Sequence, residues 1–362
     1  MQTTESKTGF TDIIRYFNPA WFASVMGTAV IPLAISFGNF PGKKPIVMFF
    51  VFLSVIMFIL AMIPWTLRFF MFFDQVKKDF DHPIASNFFP TMPISLIVLS
   101  LDFLKFPGLI VSVELSHQIA YYLWLVGSAG IYVFGFIILT HIFRHREIEL
   151  HHANFGWYIP PVSKLIIPVA GFELAGIMPA THELTFGLSM VSLGVGFFLF
   201  LFVGSAVYHR YIYHELPISR FASTFFIGVA PTAIIGVILF KMMHLFNHHA
   251  IPGIDSAVFN TVGRIGILLN WGFALWWFIM ALIIITYYIR KIELPYALSW
   301  WAFTFPLGAQ SVATGVTWKL TAWSSVYLIY LFTVMLMVFL WAVVLIRTLR
   351  GMAAGDVFKP AH

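Results

Sequence analysis

The chain has 362 residues, 60% of them hydrophobic and only 10% charged, with no cysteine and a formal net charge of +6 at pH 7. A soluble domain carries roughly a quarter charged residues on its wetted surface, so water is not the main solvent of this protein. Without thiols, disulfides, thiolate metal sites and cysteine nucleophiles are excluded, and the basic excess sits at the ends of apolar blocks, which is a membrane-topology pattern and not a nucleic-acid footprint.

Residues 1–18 contain Glu5 and Asp12 and lack a short apolar core ending in a small-residue cleavage site, so they are expected to be a cytoplasmic N-terminal segment and not a signal peptide. Ten apolar blocks follow, at about 19–37, 46–67, 84–103, 115–140, 157–180, 184–208, 219–243, 258–289, 297–318 and 321–347. At 1.5 Å rise per residue, each matches a hydrocarbon core of about 30 Å. The third block holds Asn87, Thr91 and two prolines, and the loop charges decide in its favour. Alternate segments then collect fifteen Lys and Arg on one side, among them Arg68, Lys77, Lys78, Arg144, Arg146, Arg290, Lys291 and Lys359. The other side receives six: Lys43, Lys44, Lys105, Lys241, Arg264 and Lys319. That bias predicts an even number of spans with both termini in the cytoplasm. Residues 19–347 are thus expected to form one ten-helix membrane domain, and 348–362 a cytoplasmic tail.

Pro32, Pro93, Pro168, Pro231 and Pro306 fall in the first, third, fifth, seventh and ninth blocks. In lipid an interior proline is tolerated where a neighbour or a cavity satisfies the freed carbonyl. The pattern predicts an all-α integral membrane fold of five repeated hairpins, whose odd-numbered helices, kinked at proline, surround a central pore. Gly27, Thr28, Ser95, Gly171, Gly228 and Thr232 lie near those prolines and are candidate pore-lining positions, and Gly308 is a further small residue near the break; all of them would also serve close helix packing. Lys164, one turn before Pro168, is a candidate for attracting anions at the cytoplasmic mouth, and the alternative is that it snorkels to the interface.

Four segments resemble a known family: Asn18-Pro-Ala-Trp-Phe-Ala-Ser-Val-Met-Gly27-Thr28, Ser86-Asn-Phe-Phe-Pro-Thr-Met-Pro93, Ile159-Pro-Pro-Val, and Trp300-Trp-Ala-Phe-Thr-Phe-Pro306. In this order they are similar to the tellurite-resistance/dicarboxylate transporter family, which includes malic acid transporters, sulfite efflux pumps and plant slow anion channels. The resemblance implies ten spans, a pore in each protomer formed by five inner helices, and a homotrimer. It also implies that Phe305 is an aromatic pore gate, with Gly27 beside it. The expected function is passage of small anions, either C4-dicarboxylates such as malate or inorganic anions, across a cell membrane. A proton-coupled dicarboxylate or sulfite carrier is the second reading.

The histidines suggest a third. His141 with His145, His151 with His152, and His244 with His248 and His249 imitate the clusters of di-metal membrane enzymes, but the charge topology divides them between the two faces. Neither metal, cofactor nor catalytic residue is therefore expected, and the partners are anionic solutes and lipid. Asp102, Glu114, His117, His182 and Glu183 lie near the predicted outer boundary, where they are read as solvated helix-end groups in preference to a proton relay.

Overall fold

The computed structural model describes residues 9–82, 84–144, 153–249 and 253–358. Glu5, His145, Arg146, His151, His152 and Lys359 lie outside the described residues. The described chain is helical throughout: α1 (Phe10–Arg15), α2 (Phe22–Ile35), α3 (Lys43–Met71), α4 (Phe73–Asp81), α5 (Thr91–Lys105), α6 (Val113–Arg144), α7 (Ile159–Ile177), α8 (His182–Tyr213), α9 (Ala230–His248), α10 (Ser256–Lys291), α11 (Phe305–Thr321) and α12 (Ser324–Ala354). Among the described residues, eight helical segments are long and apolar enough to cross a membrane. The third expected span is among them, as Ala85–Lys105. Pro19–Ile35 is apolar but shorter, and α11, at 17 residues, carries Gln310, Ser311, Thr314 and Thr317.

Burial divides the eight segments into two classes. The most apolar stretches of Ala85–Lys105, Phe155–Ile177 and Ser219–His248 are 83% to 89% buried, whereas those containing α3, α6, α8, α10 and α12 are only 17% to 33% buried. Since all are apolar, the second class presents its hydrocarbon outward, as a lipid-facing helix does. α2, α5, α7, α9 and α11 each pack on the next in chain order, and α11 returns to α2, which closes a ring. Each ring helix also packs against the long helix that follows it in the chain.

All five ring helices begin the same way. A 3-10 turn leads into each: Pro19–Trp21, Ala85–Phe88, Phe155–Tyr158, Ser219–Val229 and Leu298–Phe303. Local side chains hold two of these entries, because Asn18 accepts a hydrogen bond from the Ala20 amide at 2.8 Å and Asn154 accepts from the Gly156 amide at 2.7 Å. Prolines follow this junction. Pro231 and Pro306 occupy the second positions of α9 and α11, and Pro93 the third position of α5. A first-turn proline forfeits no intrahelical bond. Only Pro32 and Pro168 lie well inside their ring helices, and α3, outside the ring, carries an interior Pro64.

Candidate functional site

Two cavities lie along the axis of the ring. The larger, about 850 Å³ with its open mouth included, is walled by all five ring helices, from Phe305 at the start of α11 to Lys105, Lys241 and Lys319 toward the C-terminal ends of α5, α9 and α11. The smaller, about 520 Å³, is walled by their N-terminal ends and the 3-10 turns. Both walls are built in layers. Val30, Val98, Ile166 and Ile234 are spaced 68 residues apart, and so are Leu33, Leu101, Val169 and Val237; Ala309 and Val312 of α11 complete these layers after a further 75 residues. In the smaller cavity Met26, Ile94, Val162 and Ala230 repeat the interval of 68, and the residue that completes their layer is Phe305. On each helix the positions follow one another by three or four residues, which is a single helical face.

Among the described residues, Phe305 is the one common to the two walls. It is the first residue of α11, it is 6% exposed, and its layer separates the two spaces. The backbone around it is held from both sides. Gly27 of α2 packs against Thr304 and Trp301, and Gly308 packs against Val30 of α2. Trp301 in turn donates its indole N–H to Thr348 Oγ1 of α12 at 3.1 Å.

The small residues picked out in the sequence sit between helices. None of Gly27, Thr28, Ser95, Gly171, Gly228, Thr232 and Gly308 lines either cavity. Thr28 accepts a hydrogen bond from Trp341 of α12 at 2.9 Å, and Ser95 donates to the Phe22 carbonyl of α2 at 3.1 Å. Gly171 lies against Ser189 of α8 and Trp124 of α6, and Gly228 lies against Trp277 of α10. Thr232 is buried, and its hydroxyl has no partner among the described residues. Space here is spent on bringing backbones together. Lys164 is likewise away from both cavities: it is buried, with its ammonium against the Cα of Gly135 on α6. In a helix, residues 164 and 168 share a face, and the axis-facing residues of α7 are 166, 169 and 173.

Charged groups also reach the axis, among them three of the six basic residues expected on the outer side, Lys105, Lys241 and Lys319. Beyond the Leu33 layer the 68-residue interval gives Phe37, Lys105, Glu173 and Lys241, with Val316 and, one turn on, Lys319 from α11. Lys241 and Glu173 form an ion pair. The ammoniums of Lys105 and Lys319 both stand over the Phe37 ring, 5.8 and 5.2 Å from its centre. Lys43, at the same mouth, donates to the carbonyls of Ser36 and Gly38 at 2.6 and 2.7 Å. The available signal was the regular interval itself.

Asp102 departs from the solvated helix-end reading. It is 1% exposed within α5, and neither carboxylate oxygen has a hydrogen-bond partner among the described residues. Glu114 and Glu183 are exposed, and His182 is half-buried with its Nδ1 2.9 Å from the Ala175 carbonyl. His244 and His248 stack edge-on, 4.8 Å apart, and His182 lies near His249. Among the described residues no group of three or more His, Asp or Glu is placed to hold a metal ion.

Comparison with known proteins identifies the family. The model of a family described as voltage-dependent anion channel (SLAC1) matches residues 16–349. An uncharacterized transporter of Methanocaldococcus jannaschii is 35% identical, over 99% of both chains. A sulfite efflux pump of Arthroderma benhamiae is 25% identical over 83% of this chain and 81% of its own. An S-type anion channel of Arabidopsis thaliana is 23% identical over 73% of this chain and 36% of its own. The match along nearly the whole length places the chain in the SLAC1 anion channel and transporter family, the group its four sequence motifs resemble.

Proposed function

We propose that the chain conducts small anions across a cell membrane through the axis of its five-helix ring, with Phe305 as the gate. The observation that carries this reading is that Phe305 alone, among the described residues, lines both cavities. An apolar ring at a constriction excludes ions sterically and by dewetting, and rotation of one side chain would join the two spaces. The aliphatic walls hold no fixed charge between Phe305 and the lysine layer, so an anion in transit is bound weakly and leaves readily.

In this reading the protein has ten spans arranged as five hairpins. Ring helices alternate with lipid-facing helices, the N-terminal ends of the ring face the cytoplasm, and both termini lie there. Three protomers form a homotrimer with three independent pores, as the resemblance implies. The cargo is sulfite, a C4-dicarboxylate such as malate, or an inorganic anion, and the similarity to sulfite efflux pumps favours an oxyanion.

The buried, unpartnered carboxyl of Asp102 supports a second reading, a proton-coupled carrier, because an ionisable group inside a membrane domain is costly unless it is used. Current and flux in proteoliposomes separate the two. A reversal potential that follows the anion gradient alone is expected for the gated pore. Dependence on an imposed proton gradient would give the carrier reading preference.

A further inference from the structure

The lysine layer at the C-terminal mouth is not needed to close the gate, and it is not explained by helix packing. We propose that Lys105, Lys241 and Lys319 form a binding site for a small doubly charged oxyanion at the entrance of the larger cavity, and that Glu173 competes with that anion for Lys241. The proposal rests on the anion-passage reading for its purpose, but not for its geometry.

Four observations converge. First, the three lysines come from three different ring helices and line one cavity. Second, Lys105 lies within electrostatic reach of Lys43, Lys241, Lys319 and Glu173, so these positive groups are gathered against their mutual repulsion with a single carboxylate among them. Third, among the described residues neither Lys105 nor Lys319 has a carboxylate within ion-pair distance or an acceptor within hydrogen-bond distance; each has only the face of Phe37. Lys43 shows the contrast, since it is spent on the backbone carbonyls of Ser36 and Gly38. Fourth, α5 ends at Lys105 and α11 ends two residues past Lys319, so the negative ends of these helix dipoles point at the mouth. Without the lysines that mouth would repel an anion.

The charge count sets the preference. Glu173 neutralises Lys241 in the empty site, which leaves Lys105 and Lys319 as the uncompensated pair. Lys105 and Lys319 are exposed at the mouth, and two cations facing one cavity attract a doubly charged anion more strongly than a singly charged one, because the Coulomb energy scales with the product of charges and is reduced by salt. Arrival of such an anion also offers Lys241 an alternative to Glu173. Phe37 forms an apolar floor that holds the ammoniums at the cavity rim, and its own position is fixed by contact with Gly315.

The test uses the full chain in detergent, titrated calorimetrically with sulfite at pH 8, malate and chloride, followed by flux in proteoliposomes. Sulfite or malate is expected to bind more tightly than chloride. Lys105→Gln/Lys319→Gln is expected to weaken divalent binding about tenfold while changing chloride by much less, as removal of a focusing charge pair does. Glu173→Gln is expected to tighten divalent binding. Lys105→Arg/Lys319→Arg, which keeps the charge, is expected to retain it and serves as the folding control. A shift for sulfite alone or malate alone supports the site and assigns its ligand. An unchanged ratio of divalent to chloride affinity in the folded glutamine variant overturns it. Binding without flux would leave the lysine site standing and remove the transport reading, whereas flux with no lysine dependence would do the reverse.

Discussion

Gly27 of α2 sits so close to Thr304, the residue before Phe305, that a methyl group placed on Gly27 would overlap the Thr304 side chain. The contact fixes the start of α11 against α2 at the level where the two cavities meet. The family resemblance implies that Gly27 lies beside the aromatic gate. In the structure its closest partner is the side chain of Thr304, the residue next to the ring in the chain.

Gly27→Ala is therefore expected to lower the thermal midpoint of the purified protein, with an overpacking cost of about 1–3 kcal/mol. Thr304→Ala in the same chain removes the nearest clashing atom and recovers part of that loss. Strictly additive effects in the double variant would show that the two positions do not press on each other.

Phe305→Ala is expected to raise anion flux several-fold. Truncating a fully packed phenylalanine costs about 3–5 kcal/mol, but this ring borders open space on two sides, so the fold is expected to survive. Folded, correctly inserted variant protein with wild-type flux would remove Phe305 from the gate.

Lys164→Met is expected to leave the half-saturating anion concentration unchanged, because the ammonium is directed at α6 and not at the axis. Replacing a buried charge by an apolar chain of similar length is expected to be neutral or stabilising. A clear loss of anion affinity in that variant would return Lys164 to the pathway.

Asp102→Asn tests the carrier reading. Its carboxyl is buried without a partner, and the amide keeps the shape while losing the ability to take up a proton. Flux driven by an anion gradient alone is expected to persist. Abolition of flux in the folded variant, or loss of a proton-gradient response present in the parent, would make Asp102 part of a coupled cycle.

That the chain is a helical membrane protein, and roughly where its helices lie, was legible in the order of its residues. Length and hydrophobicity are local properties, and even the polar third segment, Ala85–Lys105, was recoverable from the charges that flank it. The prolines located the ring helices but not their geometry. Pro32 and Pro168 sit inside helices, whereas Pro93, Pro231 and Pro306 sit in first turns, because the chain reaches the α-helix through a 3-10 segment whose length differs from one repeat to the next.

Only the tertiary structure decided which face of each helix looks inward. In water, that face declares itself by being apolar. Here the lipid side, the helix–helix contacts and the cavity wall are all apolar, so Val98 and Gly171 carry no local label saying that the first meets the cavity and the second meets Trp124. The same ambiguity hid the lysine layer. Lys105, Lys241 and Lys319 are far apart in the chain and read singly as helix-end charges, and closure of α11 onto α2 brings them to one mouth.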